Sequence, residues 1–112
     1  MLMFDNTYTN KAVLTLFALH KNKRHIRYRS DMHIEDVLED WINLKLKLDM
    51  SAENKSVTVS MDRETLFSNV LFWIEPCGIL HIKFGAYRPG SLSGNVKSIV
   101  DFDSINVNDL SR

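Results

Sequence analysis

The chain has 112 residues, a formal net charge of zero at pH 7, and a composition that is 45% hydrophobic and 25% charged. These values are typical of one globular domain with a single core, and the lack of a basic excess argues against a protein that coats DNA or RNA. The single cysteine, Cys77, excludes a disulfide within the chain and fits a reducing compartment. We therefore predict one domain over residues 1–112, located in the cytoplasm.

The first predicted element is a β-hairpin over residues 11–29. Residues 12–19 (AVLTLFAL) form an apolar run that suits a strand buried on both faces, although periodicity alone does not exclude a buried helical turn. This run is also too short to span a bilayer. After a polar turn, HIRYR alternates Ile26 and Tyr28 with Arg27 and Arg29, a pattern typical of a half-exposed strand.

The second predicted element is an amphipathic helix from about residue 32 to residue 49. Ser30 or Asp31 is a suitable N-cap, and the acids that follow suit the positive end of a helix dipole. Apolar residues recur along this segment at spacings of three and four, which places them on one helix face. They are Ile34, Val37, Leu38, Trp41, Leu44 and Leu48.

Three further strands are predicted over residues 55–61, 66–75 and 79–87. The turns between them, DRET and PCG, are too short for parallel crossovers, so the strands form an antiparallel meander. Residues 88–95 (RPGSLSGN) have the composition of a loop, and residues 96–102 are a candidate edge strand. The predicted fold class is α+β, with an antiparallel sheet of five to six strands and the long amphipathic helix (about 32–49) packed on one face.

The sequence contains no motif that identifies an enzyme. It has no P-loop and no dinucleotide-binding glycine motif, and its four histidines lack the spacing of a metal site. A hairpin could bring Glu75 close to His81, which is the one acid–base pair that the predicted strands offer. We predict no catalytic residues, no metal and no cofactor.

The charged residues are unevenly distributed along the chain. Residues 1–30 carry six Lys or Arg and one acid, whereas residues 31–112 carry eight Lys or Arg and thirteen acids. A surface divided in this way can steer a charged partner without a large net charge. The basic segment offers candidate phosphate contacts for a nucleic acid. They are Lys21, Lys23, Arg24, Arg27 and Arg29.

The acidic segment offers candidate contacts for a basic protein partner. These are Glu35, Asp36, Glu39 and Asp40. On the predicted helix they form like-charge pairs at a spacing of four, which destabilise a helix slightly. Dipole compensation and pairing with the basic hairpin account for the first of them, but less well for Glu39 and Asp40. A negative patch presented to a partner is the alternative explanation.

The order of these elements resembles a known family. A hairpin precedes VLEDWINLKL, and SVTVSM, NVLFWIE and GILHIKF follow. This order resembles the immunity proteins of contact-dependent growth inhibition systems, and it is closest to the type that neutralises an RNA-cleaving toxin domain. The resemblance covers roughly residues 12–87 and rests on a few residues besides the order: Trp41, Val59, Ser60, Met61, Phe72 and Trp73.

The resemblance implies a small cytoplasmic protein without enzymatic activity. Such a protein would bind a cognate toxin domain of the nuclease class and block its active site or its substrate surface. An acidic patch suits this role because a nuclease carries positive charge to hold its substrate. The alternative is a small nucleic-acid-binding regulator that uses the basic hairpin over residues 21–29. Neither reading requires a membrane or a small-molecule cofactor.

Overall fold

A computed structural model of the chain describes residues 1–5, 12–22, 24–51, 53–74 and 101–108. The regular elements in these segments are six strands and one short 3-10 helix. They are β1 (Leu2–Asp5), β2 (Val13–Leu19), β3 (His25–His33), the 3-10 helix (Ile34–Asp36), β4 (Leu44–Asp49), β5 (Lys55–Met61) and β6 (Glu64–Phe72). No helix among the described residues is long and apolar enough to cross a membrane.

The chain divides into two units, Met1–Gly78 and Ile79–Arg112. All six strands belong to the first unit. In the second unit the described residues are 101–108, which are exposed and have no regular secondary structure.

The strands of the first unit form two three-stranded antiparallel sheets. The first sheet has the order β1-β2-β3 and the second has the order β4-β5-β6, so the central strands are β2 and β5. In the first sheet Leu16 lies opposite both Leu2 and Tyr28. In the second sheet Val59 lies opposite both Leu46 and Phe67.

The two sheets share one hydrophobic core. Its buried members come from both central strands and from β6: Leu14, Leu16, Val57, Val59, Met61 and Phe67. On β5 the buried Val57, Val59 and Met61 alternate with the half-buried Thr58 and Ser60, because successive side chains of a strand point to opposite faces. The first unit is therefore a small β-sandwich in which the sheets pack face to face.

The predicted α+β fold with a helix over residues 32–49 is wrong: the described fold is all-β. Residues 25–33 continue as β3, a single 3-10 turn follows, and residues 44–49 form β4. The apolar spacing of three and four was misleading because LKLKLD also alternates with a period of two. The strand places Leu46 on the same face as Leu44 and Leu48, whereas the helical pattern leaves Leu46 out. A positive φ of 64° at Glu39 also interrupts the segment where a helix would have continued.

Other predicted elements of the first unit are confirmed. The hairpin predicted over residues 11–29 corresponds to β2 and β3, which pair antiparallel, and β2 has buried residues on both of its faces. The strand over residues 55–61 has its predicted limits. The strand predicted over residues 66–75 is β6, which covers residues 64–72 and pairs antiparallel with β5 across a turn at Asp62 and Arg63. The predicted strand over residues 79–87 and the loop over residues 88–95 lie outside the described residues, as do residues 96–100 of the last predicted strand.

The turn that follows β4 is closed by the Asp49 carboxylate. This carboxylate accepts hydrogen bonds from the Ser51 hydroxyl at 2.7 Å and from the Ser51 backbone N–H at 3.1 Å. The hydroxyl and then the amide of Ser51 hold the pKa of Asp49 below its usual value, because both stabilise the ionised form. The end of β4 is therefore set by a local side-chain turn.

We predict that Val59→Ala destabilises the sandwich by about 2 kcal/mol, because Val59 is fully buried and its removed methyl groups leave a cavity between the sheets. Urea denaturation followed by far-UV circular dichroism measures the change. Val107→Ala is the matched control, since Val107 is 69% exposed and its truncation is expected to cost less than about 0.5 kcal/mol. Equal effects of the two substitutions would contradict the assigned core.

Candidate partner-binding site

A cleft with a volume of about 610 Å³ lies between the segment that follows β3 and the β5–β6 turn. The residues that line it include four carboxylates and one guanidinium. The charged lining residues are Asp36, Asp40, Asp62, Glu64 and Arg63. We call this feature the acidic cleft, because negative charge exceeds positive charge along its walls.

Backbone hydrogen bonds fix two of the four carboxylates. The Asp36 carboxylate accepts a hydrogen bond from the His33 N–H at 3.0 Å, which holds it at the end of the 3-10 helix. The Asp62 carboxylate accepts a hydrogen bond from the Asn43 N–H at 3.0 Å, and the Asp62 N–H donates to the Asn43 carbonyl at 2.7 Å. This second pair of bonds ties the β5–β6 turn to the residue that precedes β4.

Asp62 can close the turn because of its backbone conformation. Its φ is 55°, a region that aspartate and asparagine tolerate better than most residues other than glycine. The turn brings Arg63 and Glu64 to the cleft beside Asp62. The opposite wall is formed by successive turns, in which the Val37 N–H donates to Ile34 and the Asp40 N–H donates to Val37.

The cleft also has an apolar part. Met61 is buried, and three half-buried side chains join it in the lining: Met32, Val37 and Ile42. Trp41 lines the same cleft but is 72% exposed. An exposed indole beside carboxylates makes Trp41 a candidate contact residue for a partner.

This arrangement suits a cationic side chain. Carboxylates bind guanidinium or ammonium groups through charge-assisted hydrogen bonds, and an indole face attracts the same cations. The methylene groups of an arginine or lysine would lie against the apolar part of the cleft. A metal ion fits the site less well: among the described segments, no group of three or more His, Cys, Asp or Glu side chains is placed to hold one.

Two of the four predicted acidic contacts line the acidic cleft. Asp36 and Asp40 lie on its wall, whereas Glu35 and Glu39 are exposed but are not among its lining residues. The prediction placed all four on one face of a helix. The turns that replace the helix separate them, with Glu39 in a left-handed conformation between Leu38 and Asp40.

Sequence reasoning missed the remaining charged residues of the cleft. Asp62 and Glu64 belong to DRET, which was read only as a turn, and Trp41 was expected on the apolar face of the predicted helix. The two acids on either side of Arg63 can be recognised in the sequence as a cluster of charge at a turn. That this turn lies close to Asp40 cannot be recognised there, because it depends on the pairing of β4 with β5.

The structure places the basic segment at the β2–β3 turn and along β3. Lys21 and Arg24 are exposed near the turn, Arg27 and Arg29 are exposed on the strand, and Lys23 lies outside the described residues. The Arg27 guanidinium lies over the Phe17 ring, 5.4 Å from its centroid.

Tyr28 does not share a face with the arginines of β3. Its ring packs against the core, and its hydroxyl lies 3.3 Å from Nε2 of His20. Arg27 and Arg29 point to the other side of the strand. Tyr28 and the two arginines therefore lie on opposite faces of β3. The candidate catalytic pair Glu75 and His81 lies outside the described residues.

No protein-family model, curated protein or solved structure matches this chain. The case for a function therefore rests on the residues of the acidic cleft and on the order of the elements.

We predict that Trp41 is accessible to solvent and lies in a negative potential. In a Trp73→Phe variant, whose fluorescence comes from Trp41 alone, caesium ions should quench the emission better than iodide ions. Relative to free N-acetyltryptophanamide, the caesium-to-iodide ratio of quenching constants should rise at least about twofold, because nearby carboxylates attract cations and repel anions.

The matched control adds Asp36→Asn and Asp40→Asn to the same Trp73→Phe background. Removing these two charges should return the ratio towards that of the free indole. Emission at short wavelength with little quenching by either ion would contradict an exposed Trp41.

Proposed function

We propose that this protein binds a basic segment of a partner protein in the acidic cleft. The observation that carries the proposal is that four carboxylates, several apolar side chains and the exposed Trp41 line one cleft. Tryptophan and charged groups that are buried together on binding are typical of the residues that dominate protein–protein affinity. The carboxylates would also accelerate association with a positively charged surface.

We further propose that the partner is the toxin domain of a contact-dependent growth inhibition system, and that binding neutralises it. The hairpin before Trp41 and the strands of SVTVSM and NVLFWIE follow one another as the resemblance expects, although β4 stands where it expects a helix and GILHIKF lies outside the described residues. An RNA-cleaving toxin exposes basic residues at its substrate surface, and a basic side chain held in the acidic cleft would be withdrawn from RNA. Such a toxin acts where RNA is, so this function places the protein in the cytoplasm.

The neutralisation hypothesis is tested by co-expression. The C-terminal domain encoded by the reading frame upstream of this protein should arrest growth when expressed alone, and co-expression of this protein should restore growth. The purified pair should form a complex below micromolar concentration. No complex at micromolar concentration would overturn the proposal.

The role of the acidic cleft in this complex is tested by substitution. Trp41→Ala should weaken binding of the toxin domain about 30-fold or more, as expected for the loss of an interfacial tryptophan worth about 2 kcal/mol. Asp36→Asn with Asp40→Asn should slow association on the order of tenfold at low salt, and much less at high salt. Isothermal titration calorimetry and stopped-flow fluorescence measure the two effects.

Glu53→Gln is the matched control, since Glu53 is exposed in the β4–β5 turn and does not line the cleft. Its affinity should equal that of the wild type. A complex that forms normally with all cleft variants would exclude the acidic cleft as the binding surface. Binding of a labelled RNA oligonucleotide that is lost in Arg27→Ala with Arg29→Ala would instead favour the nucleic-acid reading.

A further inference from the structure

An exposed apolar stripe runs along β4. Its three leucines lie directly opposite the buried residues of β5, and opposite residues of an antiparallel pair point to the same face. Nevertheless Leu44 is 43% exposed, Leu46 is 46% exposed and Leu48 is 37% exposed. The apolar face of the second sheet therefore continues beyond the area that is buried in the core.

β4 also has an edge that pairs with no strand of the described segments. The second sheet has the order β4-β5-β6, so β5 occupies only one side of β4. Backbone N–H and C=O groups on the other side of an edge strand can pair with another strand. The register of β4 with β5 is continuous from Leu44 to Asp49, and the strand LKLKLD contains no proline. Two features that commonly protect an edge, a bulge and a proline, are therefore absent from this strand.

The charges on the opposite face of β4 are suited to pairing with an identical strand. Lys45, Lys47 and Asp49 alternate with the leucines. Lysines on an edge commonly discourage pairing, but an antiparallel copy brings Asp49 towards them. In a two-fold register centred on Leu48, Asp49 of each copy faces Lys47 of the other. This register also keeps leucine and methionine side chains together on the apolar face.

We propose that β4 pairs antiparallel with β4 of a second copy of this chain, so that two three-stranded sheets join into one six-stranded sheet. The apolar stripes of the two copies then lie side by side, and two Lys–Asp pairs form on the other face. One strand pair is smaller than a standard protein interface, so the dissociation constant is on the order of 10–100 µM. This dimer does not depend on the function proposed for the acidic cleft.

Sedimentation velocity tests the proposal with two charge variants. Lys45→Glu with Lys47→Glu makes an edge that is entirely acidic, and Asp49→Lys makes one that is entirely basic. Each variant alone should remain monomeric, because like charges then face each other across the two-fold axis. The wild type should self-associate as its concentration rises from about 5 to about 500 µM, and an equimolar mixture of the two variants should form a heterodimer at least as tight as the wild-type dimer.

Circular dichroism and thermal melting establish that each variant is folded, which matters for Asp49→Lys because Asp49 accepts the hydrogen bonds of Ser51. Asp49→Asn controls for that turn and should weaken the dimer less than Asp49→Lys. The proposal is overturned by a wild type that stays monomeric throughout this range, by variants that self-associate like the wild type, or by a mixture that does not associate.

Discussion

Residues 44–49 pair with β5 as a strand, and both candidate surfaces of the molecule follow from this pairing. The cross-strand contact between Leu46 and Val59 aligns the leucines of β4 with the residues of β5 that fill the core. Because β5 pairs with β6 on its other side, β4 is an edge strand of the second sheet. The chain must then reach β4 through turns, and these turns carry Asp40 and Trp41.

The acidic cleft is a consequence of this route. The two hydrogen bonds between Asn43 and Asp62 join the start of β4 to the β5–β6 turn, across nineteen residues of sequence. They bring carboxylates from two distant segments to one cavity, together with an indole that the core does not cover. A helix over the same residues would have turned Trp41 towards the sheet and spread the acids along a solvated face. The negative cleft is thus a property of the strand arrangement.

Alternation of apolar and polar residues predicted β3 and β5. A continuous apolar run predicted β2, and the β-branched and aromatic composition of the segment after DRET predicted β6. Within the predicted helix, residues 44–48 fit a period of two as well as the spacing of three and four, whereas residues 34–43 do not alternate. Leu46 distinguishes the strand from the helix, because it lies opposite Val59 on β5. This pairing joins distant parts of the chain, so the local sequence pattern does not reveal it. Asp36 and Asp40 were predicted as candidate contacts and line the acidic cleft. Asp62 and Glu64 reach the same cleft only through the tertiary pairing, which the sequence does not show.

The pairing of β4 with β5 is tested most directly by nuclear Overhauser effects in the isotope-labelled protein. Our account predicts cross-strand backbone contacts between Leu46 and Val59 and between Leu44 and Met61, with strong sequential contacts along residues 44–49. A series of contacts between each residue and the third residue after it, running from residue 34 to residue 48, would show a helix instead. That result would contradict both the acidic cleft and the exposed edge of β4.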